Sequence, residues 1–215
     1  MSLAEEKEIR MTATPLVLRD AETPDAPQVI EGYALKFNKP SEVMGFGVRF
    51  IETIDPHALD STDLNDVVAL FNHDQSQILG RTGVNLGLSV DNIGLKYRIT
   101  PEDTNLWRDL TANIKAGIIK QSSFAFDLPD DDAAQEWAPS DSDEADYTRT
   151  IKAIAHIYDV SPVTRPAYPD TEVTVGSRGL VLLKAAQQPA APPAWQSDRD
   201  KMIRELRRQQ LLNKL

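Results

Sequence analysis

Apolar residues recur at every second position over several short stretches of this chain, and at helical spacing over only one internal stretch. That imbalance confines the fold to a strand-rich class before any other property is considered. From Val29 the odd positions Val29, Tyr33, Leu35 and Phe37 are apolar, interrupted by Glu31, as in a half-buried strand. Residues 48–54 and 67–71 read likewise, the second as a nearly continuous apolar run suited to a central strand covered on both faces. Ile93, Leu95, Tyr97 and Ile99 alternate with Gly94, Lys96 and Arg98, and Asn92 with Gly94 places a turn before them. Residues 122–128 and 149–160 also read as extended, the latter with Ile151, Ala153, Ala155 and Ile157 on one face. The single internal helix starts near Thr104, a good N-cap, carries Leu106, Trp107, Leu110 and Ile114 on one side and stops at Gly117. The expected class is therefore α+β, mostly β.

A length of 215 residues suits one domain with tails. Residues 1–12 are charged and aperiodic and read as a flexible lead-in, which leaves 13–184 as the domain. Between two of its strands, residues 129–147 hold eight Asp and Glu and no Lys or Arg. Clustered like charges resist compaction, so a solvated excursion is expected there. Calcium binding is the sharper alternative, but the D-x-[DN]-x-[DN]-G-x5-E spacing with its turn glycine is missing. Residues 185–194 are rich in Ala, Gln and Pro and read as a linker. After it, Met202, Ile203, Leu206, Leu211 and Leu212 lie among six basic and three acidic residues, which predicts a tethered basic amphipathic helix over 195–215 suited to docking on a partner.

Charge and composition narrow the function. With 33 acidic and 23 basic residues the chain carries a formal charge of −10, the wrong sign for broad contact with a phosphate backbone. It holds no stretch of 18 apolar residues and no apolar leader, so neither a membrane nor a specific nucleic acid is an expected partner. Having no cysteine, it has no thiolate nucleophile and no cysteine-ligated metal.

A general base is most simply sought among three histidines, His57, His73 and His156. His73, in Phe71-Asn72-His73-Asp74, falls where the apolar run 67–71 ends, which would fix an imidazole on a rigid strand terminus. Ser122 and Ser123 sit side by side in an extended segment, so their hydroxyls point to opposite faces and only one of them can serve as a nucleophile beside a base. Asp159 is an acid inside an apolar strand and needs a partner if buried, such as an imidazole to orient. Alternation puts His156 and Asp159 on opposite faces, so at most one of them is expected at that site.

Taken in order, these segments resemble the prohead (capsid maturation) proteases of tailed phages of the HK97 group, serine peptidases distantly similar to herpesvirus assemblins. The resemblance runs from about Ile30 to Val175. It is carried by Glu31-Gly32-Tyr33-Ala34 with Phe37, by Glu52-Thr53-Ile54-Asp55-Pro56-His57-Ala58-Leu59, and by Leu70-Phe71-Asn72-His73-Asp74 with Ile78-Leu79-Gly80-Arg81. Downstream come Gly94-Leu95 with Tyr97, then Lys115 to Phe126, and, as the strongest piece, Tyr158-Asp159-Val160-Ser161-Pro162-Val163-Thr164-Arg165-Pro166-Ala167-Tyr168-Pro169.

The resemblance implies His73 as base, Ser123 as nucleophile and Asp159 as the acid of a triad. Ser123 is selected over Ser122 because Phe126 matches the family's phenylalanine three residues after the serine. Gln121 and Ala125 depart from the family, standing where relatives often carry glycine, and a catalytically inactive, protease-like assembly factor is the alternative that these departures support. The resemblance further implies an assemblin-like β-barrel with surrounding helices, no cofactor and no metal, and cleavage of scaffold or major capsid protein segments and of the enzyme itself. It places that work inside the immature capsid in the host bacterial cytoplasm, with a homodimer expected by analogy. The basic helix would recruit the enzyme to the shell interior or be removed there.

Overall fold

The computed structural model describes residues 7–12, 16–19, 28–45, 47–164, 179 and 182–184. Twelve strands and one complete α-helix lie among these residues: β1 (Glu8–Thr12), β2 (Val17–Arg19), β3 (Val29–Lys36), β4 (Phe50–Ile54), β5 (Val68–Phe71), β6 (Asp74–Arg81), β7 (Leu86–Val90), β8 (Gly94–Ile99), α1 (Asn105–Lys115), β9 (Gln121–Asp127), β10 (Gln135–Pro139), β11 (Tyr147–Ile151) and β12 (His156–Val163). They form a five-stranded sheet in the order β1-β9-β12-β5-β6, a four-stranded sheet β2-β3-β8-β7 and a three-stranded sheet β10-β11-β4. The mostly β expectation is met. Among the described residues each sheet keeps open edges and no closed barrel is found, and α1 is the one α-helix described from end to end. The open sheet edges correct the closed barrel that the resemblance implied.

The alternating segments form strands because each buries one apolar row. Ile30 and Leu35 from β3, Leu95, Tyr97 and Ile99 from β8, Phe124 and Phe126 from β9, and Val160 from β12 join one continuous core. Gly32 on β3 leaves room for the Tyr97 ring, since a Cβ there would lie 2.8 Å from the phenol oxygen. On α1, Thr104 accepts a hydrogen bond from the Trp107 amide at 3.1 Å, and Trp107, Leu110 and Ile114 are buried. Gly117 follows with φ 71°, where the chain leaves the helix in a left-handed conformation.

Two further expectations are corrected. Residues 8–12 are not a flexible lead-in but strand β1, antiparallel to β9 with Glu8 opposite Phe126 and Met11 opposite Ser123. Its charges turn inward and find partners there, which is why a charged, aperiodic segment holds a fixed place. The acidic excursion 129–147 is likewise partly ordered. Asp131 caps a short 3-10 turn by accepting from the Ala133 amide at 2.9 Å, and β10 then pairs with β11. Its acidic side chains stay exposed while Ala134, Gln135 and Ala145 are buried, so charge and packing separate by face. The linker and basic helix expected over 185–215 lie outside the described residues.

Candidate active site

Alternation along β9 sets the two serines on different faces of the five-stranded sheet, both of them buried. Ser122 Oγ meets the Tyr97 hydroxyl at 2.7 Å in the core, and burial pushes that phenol well above its usual range. Ser123 faces the other way, as do Gln121, Ala125 and Asp127 at the same strand parity.

His73 reaches Ser123 from a tight hairpin. Strands β5 and β6 are joined through Asn72 and His73, with φ values of 56° and 59°, and Phe71 pairs with Asp74. Two consecutive left-handed residues are the signature of a two-residue hairpin turn whose twist suits the flanking strands. Asn tolerates that conformation, and its side-chain oxygen accepts from the Thr164 amide at 2.9 Å while its own amide donates to Pro162 O at 3.1 Å. His73 therefore sits in the turn itself, not on the strand terminus that the sequence suggested. The turn is tied to the end of β12, the strand that carries Asp159.

Three sequence-selected residues converge there. His73 Nε2 lies 2.6 Å from Ser123 Oγ, and His73 Nδ1 lies 2.5 Å from Asp159 Oδ1. Ser161, two residues on in β12, donates to the same Asp159 oxygen at 2.9 Å. Lys7, just before β1, puts Nζ 2.9 Å from Asp159 Oδ2. Asp159 is 2% exposed. Burial pushes its carboxyl up, but hydrogen bonds and charge from His73 and Lys7 outweigh that, and the group lies below the ordinary value of 3.8. An ionised carboxylate at Nδ1 fixes the tautomer in which Nε2 is free to accept a proton, and it stabilises the imidazolium once the proton arrives.

The Ser123 hydroxyl has a second acceptor. Its Oγ also lies 2.8 Å from the Arg10 carbonyl of β1, to which it donates. One hydroxyl has one proton, so donation to Arg10 and donation to Nε2 exclude each other, and only the second prepares the oxygen for attack.

His57 and His156 stay apart from this cluster. His57 pairs with Asp60 on the surface at 3.0 Å. His156 Nδ1 meets Asp127 at 2.9 Å, and the Tyr158 hydroxyl donates to the other Asp127 oxygen at 2.9 Å. The alternation argument for His156 needs correcting, because the register shifts between Ile157 and Asp159. His156 opposite Asp127 and Asp159 opposite Ala125 consequently share a face. Asp159 alone of the two contacts His73.

Neither departure from the expected glycines strains the backbone. Positive φ among the described non-glycine residues occurs at Asn38, Asn72 and His73, so Gln121 and Ala125 hold ordinary strand conformations that any L residue adopts. Among the described residues no group of three or more His, Asp or Glu is placed to hold a metal ion. A cavity of about 270 Å³ between β6 and α1, lined by Ile78, Val84, Glu102 and Trp107, includes none of the three converging residues.

Sequence reasoning missed a buried charge cluster behind the site. Arg149 on β11, fully buried, donates to Glu8 at 2.6 and 2.8 Å, to Glu52 at 2.7 Å and to Gln135 at 2.8 Å. Arg10 donates to Glu52 at 2.7 and 3.0 Å and to Glu8 at 2.5 Å. Burial works against the Arg149 charge, but Glu52 and Glu8 more than compensate and hold it protonated. The available signal was weak: Glu8 and Arg10 are two apart, the spacing that puts both on one side of a strand.

A serine, a histidine and an aspartate hydrogen-bonded in series at the surface of a sheet have the geometry of a serine hydrolase site. The chain belongs to the Caudovirus prohead serine protease family, whose model matches residues 14–185. Among solved structures it is similar to the capsid assembly protease of bacteriophage T4, gp21, at 14% identity and a TM-score of 0.41, covering 75% of this chain and 98% of that one. No curated protein sequence matches it. Among the described residues no helix is long and apolar enough to cross a membrane.

Proposed function

We propose that the chain is a serine endopeptidase of phage capsid maturation, with Ser123 as nucleophile, His73 as general base and acid, and Asp159 as the group that orients the imidazole. The observation that carries the reading is the unbroken series from Ser123 Oγ through His73 to Asp159 Oδ1, at 2.6 and 2.5 Å, built from residues 50 and 86 positions apart. Membership of the prohead protease family supports the reaction class.

In the reaction, His73 Nε2 takes the Ser123 proton as Oγ adds to a peptide carbonyl. It returns that proton to the leaving amine as the tetrahedral intermediate collapses to the acyl enzyme. Water then attacks through the same base, releasing the new carboxyl end and restoring Ser123. His73 is 17% exposed and Ser123 is buried, so substrate approaches past the imidazole edge.

The substrates are scaffold segments or the amino-terminal arm of the major capsid protein, together with this chain, cleaved inside the immature shell. An acidic enzyme meets such substrates through packaging as much as affinity. Intact-mass measurement over time on wild type and Ser123→Ala, alone and inside immature shells of the matching capsid protein, tests the reading. Discrete fragments that vanish in Ser123→Ala are expected. Shells and enzyme that stay whole in both would refute it and favour an assembly factor without the chemistry.

A further inference from the structure

The Asp159 carboxylate raises a difficulty that the three converging residues do not resolve. A general base is neutral at the moment it accepts a proton, and in that form His73 brings no charge to its partner. Asp159 is 2% exposed, and burial favours the protonated acid unless hydrogen bonds and a countercharge hold the ionised form. A protonated Asp159 would offer Nδ1 a donor where it needs an acceptor. The imidazole would then carry its proton on Nε2, the atom that has to accept from Ser123.

Few polar groups of the described residues face Asp159. His73 comes from the β5–β6 turn and shares Oδ1 with Ser161. The strand partners across the sheet are Ala125 on β9 and Val68 on β5, both without charge. Further along the same face Asp127 is engaged by His156 and Tyr158. Among the described residues Lys7 is the permanent cation in contact, on Oδ2 at 2.9 Å. Its Nζ also lies 5.5 Å from the centre of the Tyr158 ring, which holds the side chain over the sheet.

We infer that Lys7 is a positioning residue of the proposed catalytic centre, its ammonium keeping the Asp159 carboxylate ionised while His73 is neutral and thereby holding Nε2 free to accept the Ser123 proton. The inference rests on the reading of His73, Ser123 and Asp159 as a triad. It gives the amino-terminal strand a part in the chemistry: the register of β1 on β9 decides whether this ammonium reaches β12.

The test uses the full chain as wild type, Lys7→Met, which keeps the aliphatic stem over Tyr158, and Lys7→Arg, which keeps the charge. The Asp159 carboxyl carbon is followed by NMR from pH 7 downwards and assigned against Asp159→Asn. In Lys7→Met it should take up its proton about one pH unit or more above wild type, the scale set by losing one adjacent opposite charge, and Lys7→Arg should follow wild type. Coincident titrations of Lys7→Met and wild type would overturn the inference, whatever the enzyme does. In peptide cleavage, the acid limb of kcat/KM should move to higher pH in Lys7→Met, lowering the rate on that limb by about tenfold for every pH unit the limb moves, with Lys7→Arg restoring it. An unchanged pH profile in Lys7→Met would also count against it. If wild type neither cleaves peptide nor reacts with a fluorophosphonate at Ser123, the peptidase reading fails, and the carboxyl titration decides the role of Lys7 alone.

Discussion

Replacing Arg149 by Met is the sharpest test of what holds the amino-terminal strand in place. Met fills much of the same volume, so the change removes a charge and four hydrogen bonds while leaving little cavity. Glu8 and Glu52, whose side chains are 3% exposed, are left with Arg10 as the one remaining arginine of the cluster, a buried net charge of about −1. Breaking a buried ion pair from one side costs about 3–5 kcal/mol, a large share of the roughly 5–15 kcal/mol that stabilises a domain. For a domain of this size the thermal midpoint should fall by roughly 10 °C. Urea unfolding followed by circular dichroism measures the loss directly. The charge argument also predicts recovery: Glu52→Gln combined with Arg149→Met removes one charge of each sign and leaves the Glu8–Arg10 pair, so the double variant should be more stable than Arg149→Met alone. An Arg149→Met protein within about 1 kcal/mol of wild type, a loss typical of an ordinary hydrogen bond, would refute the claim that these charges fix β1. So would a double variant no better than the single one.

Two other predictions concern the site. Asn72→Ala removes the acceptor for the Thr164 amide and puts a residue with a Cβ but no local polar compensation at φ 56°; it should cost about 1–2 kcal/mol in unfolding experiments and lower kcat/KM by displacing His73. Asn72→Gly, which relieves the backbone but not the lost bond, should fall between Ala and wild type. Because Asp159 lies below its ordinary value of 3.8 in the folded chain, its contribution to stability is present above that pH and is lost as pH falls through the folded value. The stability gap between wild type and Asp159→Asn should accordingly narrow below about pH 4, and a gap independent of pH in acid would exclude the linkage.

Strands with alternating residues were legible because burial of one face writes itself into the sequence at period two. The rows ending in Ile99 and Phe126 are of this kind. So was α1, whose cap, apolar stripe and terminal glycine all agree. What escaped was determined by tertiary partners. β6, Asp-Gln-Ser-Gln-Ile-Leu-Gly-Arg, is an edge strand with an exposed first half and no apolar row to read. β1 and β11 bury charges, and a buried Arg149 looks in sequence like any exposed arginine until Glu8 and Glu52, 141 and 97 positions away, are brought beside it. The candidate triad was selected by resemblance, since no spacing between residues 73, 123 and 159 could have shown that they meet. The bulge at Tyr158 had no sequence signal, and it shifted the face on which His156 falls.

β1 shows why a charged segment can be the better choice for an edge strand whose neighbours must be placed closely. Slipping a strand by one residue exchanges its faces, and an apolar edge strand could tolerate the slip by offering other apolar residues to the core. Here a slip would take Glu8 and Arg10 away from Glu52 and Arg149 and turn exposed Ile9 inward. Buried charges left without partners are far more costly than a mismatched methyl group, so the cluster selects one register steeply even if it adds little net stability. That register sets Lys7 against Asp159 and the Arg10 carbonyl against Ser123. The same pairing that brings the ammonium to the carboxylate also supplies an acceptor that competes with His73 for the Ser123 hydroxyl proton. Small displacements of β1 then alter both ends of the proton path together, and the charges on its inner face decide whether such displacements occur.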